Sequence, residues 1–143
     1  MSYPLLTEPD KLHDIADDLE SIFWVLVFSA MKCYSLPDQD VSLHGFDDQS
    51  LDAYERRVGG THKRHWLFSD QLSKIHFVPN SLHDLIQDSQ LCWFQFYIAR
   101  HGTAGFDSVP AAKAELLRML DRASSPSFWA EKYAASLSAT RPQ

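Results

Sequence analysis

Glycine and cysteine are both scarce in this chain: 143 residues include only 5 of the first and 2 of the second. With so little glycine there are few tight-turn positions. The period-two alternation of Val, Ile and Thr that builds a half-buried sheet is missing as well. Two cysteines, Cys33 and Cys92, are too few for a disulfide scaffold in so small a chain, and their apolar flanks predict buried free thiols. Basic residues are outnumbered, 13 against 19 acidic, for a net charge of −6. That balance disfavours nucleic-acid binding, which needs clustered cations to displace counterions from phosphate. Long apolar runs are lacking too, since Ile22 to Met31 covers about half of what spans a bilayer. Met1-Ser2-Tyr3-Pro4 carries no basic stretch leading into an apolar one, so no signal peptide is expected. The expectation is an intracellular protein, cytoplasmic or nuclear, without membrane or nucleic-acid partners.

What is present is apolar and aromatic. Hydrophobic residues make up 45% of the chain and aromatics 13%, enough for one packed core. Pro4 and Pro9 mark residues 1–12 as an extended leader. One helical domain is expected over 13–138, with a frayed tail over 139–143. The first helix starts near Asp10 or Asp14, where acidic residues suit the positive end of the helix dipole, and runs to Cys33. Its stretch Ile22, Phe23, Trp24, Val25, Leu26, Val27, Phe28 is apolar on every face, which predicts a helix enclosed on several sides with the others packed around it. Residues 35–46 read as a loop, and Asp48 to Val58 as a polar helix stopped by Gly59-Gly60. Further helices follow: Thr61 to Leu72, Ser81 to His101, one opened by Ser108 and Pro110, and one from Phe128 to Leu137 after Ser125-Pro126. The fold class is all-α.

Chemical signals are few. His62 and His65 have a spacing that puts two imidazoles on one helical face. However, Lys63 and Arg64 lie between them and no third ligand is close in sequence, so no metal is expected. Asp17, Asp18 and Glu20 cluster as paired catalytic carboxylates sometimes do. A helix N-terminus that favours negative charge is the simpler account, since no acid/base partner is identifiable in the sequence. Phe94, Phe96 and Tyr97, like Trp129 and Tyr133, have the density of core aromatics.

The segment His13-Asp14-Ile15-Ala16-Asp17-Asp18-Leu19-Glu20-Ser21-Ile22-Phe23-Trp24-Val25-Leu26 resembles the pattern His-x-x-x-Asp-Asp-Leu-Glu-Ser-x-Phe-Tyr-Val-Leu of the fungal-type protein kinase family. The resemblance is specific over these residues, loose from Leu51 to Arg100, and silent beyond Gly102. It implies that this helix is the central helix F of a kinase large lobe, and that the chain is the helical C-terminal part of such a lobe. By the same resemblance Asp18 falls at the aspartate that holds the catalytic loop, and Trp24 replaces the family's tyrosine. With the catalytic loop absent, Asp18 would be a buried carboxylate lacking its partners, and Asp18→Asn would be neutral or stabilising.

Phosphoryl transfer also needs a glycine-rich loop, a phosphate-positioning lysine, a catalytic aspartate and magnesium ligands. The sequence carries no Gly-x-Gly-x-x-Gly, His-Arg-Asp or Asp-Phe-Gly motif. The expectation is a kinase-like fragment, of a family that transfers phosphate from ATP to Ser or Thr, with no activity in isolation, no cofactor and no identifiable small-molecule ligand. An alternative is a free-standing helical interaction module. It would bury the exposed face of its central helix against missing kinase elements, another protein or a second copy. In both readings His13, Asp17, Asp18, Ser21 and Trp24 are structural or interaction residues.

Overall fold

The computed structural model describes residues 12–35, 46, 49–51, 57–102 and 110–139. Most of the expected leader and of the loop over 35–46, and the tail from residue 140, lie outside that set. Five helices dominate the described residues: α1 (Ile15–Cys33), α2 (Thr61–Phe68), α3 (Asn80–Gly102), α4 (Pro110–Ala123) and α5 (Pro126–Ala139). The fold is all-α, as the composition implied.

Helix α1 begins where its acidic residues allow. Asp14 is the N-cap, in extended conformation, and forms a reciprocal capping box with Asp17. The Asp14 carboxylate accepts from the Asp17 backbone N–H at 3.1 Å, and the Asp17 carboxylate accepts from the Asp14 N–H at 2.9 Å. Two donors that no helix can satisfy internally are thereby paired. The helix ends with the Tyr34 N–H bonded to the Ala30 carbonyl at 2.8 Å. Beyond it, Ser35 bridges to Phe77, and the Val78 N–H donates to the Tyr34 carbonyl at 2.9 Å.

The polar helix expected over Asp48 to Val58 does not form. Instead β1 (Gln49–Leu51) pairs antiparallel with β2 (Arg57–Gly59), Gln49 opposite Gly59. Helix propensity is a weak preference that pairing overrides in so short a segment. The chain leaves β2 through Gly60, whose φ of 80° is a left-handed conformation that glycine adopts without a Cβ clash. Gly60, rather than Thr61, is then the N-cap of α2.

Helix α2 is also shorter than its sequence suggested, stopping at Phe68 before a separate 3₁₀ turn at Leu72–Lys74. The cause is a side chain on α3. Gln90 donates through its amide to the carbonyls of Trp66 at 2.7 Å and Ser69 at 3.0 Å. Helix-end carbonyls left over at this point are satisfied there instead of by another turn. Gln87 does the same for the Leu72 carbonyl at 3.0 Å.

A central buried helix exists, but it is α3 and not α1. Helix α3 packs against each of the other four helices. Ile86, Trp93, Phe96 and Tyr97 on it are all buried. Trp93 is fully buried and stacks on Trp129 of α5, with centroids 5.2 Å apart and planes 10° from parallel. The Trp129 indole N–H donates to the Ala123 carbonyl at 2.8 Å, fixing α5 to the end of α4.

Helix α1 contributes Ala16, Phe23, Trp24, Val27, Ala30 and Met31 to this core, but the expected enclosure on every side is not what the structure shows. Ile22 is 51% exposed and Val25 65%. These two share one arc of the helix with exposed Asp18, Ser29 and Lys32, opposite the buried arc. One apolar face of α1 is thus open. An apolar sequence permits enclosure, but the number of neighbours decides it.

Candidate functional site

The residues singled out by sequence cluster in the first turns of α1, and the structure gives each a partner. Asp17 is buried and occupied by the capping box. Ser21 donates its hydroxyl back to the Asp17 carbonyl at 2.7 Å. Asp18 lies at the surface, its carboxylate 3.1 Å from Nε2 of His13, itself exposed. Hence Asp18 is not a buried carboxylate bereft of partners, and the relief expected from Asp18→Asn loses its physical basis. Asp14 additionally reaches Arg100 at 3.6 Å, joining the start of α1 to the end of α3.

Glu20, like Asp17, is a buried carboxylate, and it has no solvent exposure. It accepts from the Trp24 indole N–H at 2.7 Å and from the Tyr97 hydroxyl. Trp24 is enclosed by Phe23, Phe46 and Trp66, with the Lys63 ammonium 5.9 Å from its ring centre. Sequence periodicity missed the Glu20–Tyr97 bond because the two are 77 positions apart. A carboxylate sealed from solvent and held by core side chains has no route to a substrate, which removes Glu20 from the catalytic candidates.

Among the described residues several concavities open to solvent beside α3, and two of them bear on the chemistry. The first, of about 160 Å³, is lined by Cys92, Arg118, Arg122 and Phe128 among others. Its cations are committed: Arg118 pairs with Glu115 at 2.8 Å, and Arg122 lies 4.4 Å over the Phe128 ring. Burial pushes the Cys92 thiol up, which disfavours the reactive thiolate. Cys33, expected to be buried, is exposed because it falls toward the open face of α1; both cysteines are free.

The second concavity is an apolar groove of about 370 Å³ between α1, α3 and α5. It is lined by Ile22, Val25, Leu26 and Ser29 of α1, Leu85 of α3, and Tyr133 and Leu137 of α5. It offers almost no polar group with which to orient a small ligand, unlike usual substrate pockets. The Tyr133 hydroxyl is buried without a hydrogen-bond partner among the described residues. Burial pushes its pKa up to about 12, and the nearby Cys92 adds to the shift.

An expected result follows for Tyr133→Phe. At neutral pH the change removes an unpaired buried hydroxyl and should stabilise by about 1 kcal/mol. In the parent protein the folded state holds the phenol proton above the unfolded pKa near 10. Stability should therefore fall as pH rises from there toward about 12. Denaturant titrations across that range should show the decline in the parent and its attenuation in Tyr133→Phe.

His62 and His65 are both exposed on α2. Among the described residues there is no group of three or more His, Cys, Asp or Glu placed to hold a metal. No helix among them is long and apolar enough to cross a membrane. No family model matches the chain, and no curated protein or solved structure shows significant similarity to it.

Proposed function

We propose that this chain is a non-catalytic protein-binding unit, related to the large lobe of fungal-type protein kinases, whose working surface is the open apolar face of α1. The observation that carries the reading is the exposure of Ile22 and Val25 beside the apolar groove. Contiguous apolar surface rimmed by polar residues marks association sites, because leaving it wet is costly. The relation to kinases rests on the motif from His13 to Leu26, which forms most of the same helix. In a kinase lobe that helix is covered on every side, so an open face is where further kinase elements or another protein would dock.

Two features speak for binding over catalysis. The two buried carboxylates among the described residues are engaged, Glu20 with Trp24 and Tyr97 and Asp17 in the helix cap, and the sequence has none of the nucleotide-handling motifs. Calorimetric titration with magnesium-ATP should give no saturable binding up to about 1 mM, and a dissociation constant in the micromolar range would overturn the proposal. An apolar fluorescent dye should brighten on the protein, and Val25→Asp should reduce that signal. The variant should leave stability within about 0.5 kcal/mol, since an exposed residue carries little packing energy.

A further inference from the structure

We propose that the occupant of this face is a second copy of the chain, with the two α1 helices packed antiparallel about a two-fold axis at Val25. The inference rests on the binding-unit reading and names its partner. Its basis is the order of charges along the exposed stripe of α1. Asp18 stands seven residues before Val25 and Lys32 seven after it. Seven residues are nearly two full turns, so all three project within an arc of about 40°, the charges each about 10 Å from Val25 along the axis.

All three are exposed, and Lys32 makes no ion pair among the described residues. Rotating one copy about an axis through Val25 therefore sets Asp18 against Lys32 of the other copy, twice. Self-complementarity of that kind is what an isologous interface requires. Between the charges the stripe carries bulky Ile22 three residues before Val25 and small Ser29 four after it. In the antiparallel arrangement Ile22 of each copy lies over Ser29 of the other, which lets the helices approach at ordinary packing distance. A parallel arrangement would put Asp18 on Asp18 and Lys32 on Lys32. The charges thus select orientation as well as partner.

Sedimentation equilibrium across a concentration series, with folding followed by circular dichroism, tests this. The parent chain should reversibly dimerise, and Val25→Asp should weaken the dimer at least tenfold. Asp18→Lys and Lys32→Asp, made singly, should each weaken it about tenfold by setting like charges together. Mixing those two variants, or combining both changes in one chain, should restore association, which a general loss of folding would not do. A parent that stays monomeric overturns the proposal, as does a dimer indifferent to Val25→Asp and to both charge changes. If that monomer still brightens the apolar dye, the dimer fails while the binding-unit reading stands. If it does not, both fail.

Discussion

Trp93→Ala is expected to destabilise the protein by about 3–5 kcal/mol, because it removes the side chain on which the whole packing turns. Trp93 is fully buried, stacked on Trp129 and set edge-on to Phe96 at 5.4 Å. Shrinking it to alanine opens a cavity where α3 meets α5, and neighbouring backbone helices close such gaps only partly. Domains of this kind are stable by roughly 5–15 kcal/mol, so a large share would go, with a fall in melting temperature of about 10 °C or more. Trp93→Phe makes a useful contrast. The Trp93 indole N–H has no hydrogen-bond partner among the described residues, so phenylalanine keeps most of the volume and discards an unpaired donor. Its loss should be less than half that of alanine. Denaturant midpoints for the two variants, read at constant slope, check the ordering. Should Trp93→Ala cost under about 1 kcal/mol, α3 is not the organising helix.

The second large effect is expected at Glu20. Truncation to alanine strands the Trp24 indole N–H and the Tyr97 hydroxyl in the core, at a cost of roughly 3 kcal/mol for the pair. Glu20→Gln retains the shape and one acceptor oxygen, and should fall between the parent and alanine. Tyr97→Phe combined with Glu20→Ala should cost less than the two single changes added together. Once the acceptor is gone, removing the Tyr97 hydroxyl takes away an unmet donor instead of a bond. A double-mutant cycle should show coupling of about 1 kcal/mol or more, whereas strict additivity would mean that the two groups do not share a bond. Such a result would place Glu20 among the determinants of how α1 meets α3.

Local chemistry was legible along the chain. Acidic residues set the start of α1 at Asp10 or Asp14, and Asp14 is its cap; Pro110 and Pro126 announced the starts of α4 and α5, and the aromatic density of α3 its burial. These signals act over one or two helical turns, where sequence neighbours are also spatial neighbours. Position by position, the reading failed where distant segments compete. Asp48 to Val58 had the polarity of a helix, yet Gln49–Leu51 pairs with Arg57–Gly59, and the end of α2 is fixed by Gln90 from α3.

Sequence by itself determined that the chain is helical and where most helices start. Only the tertiary structure decided that α3 is the centre, that Asp18 is wet while Glu20 is sealed, and that α1 keeps one apolar face open. The physical reason is that apolar residues state a demand for cover without saying what meets it. Cover depends on which helices arrive, and at Ile22 and Val25 helices α3 and α5 come near enough to form a groove but leave both side chains half exposed or more.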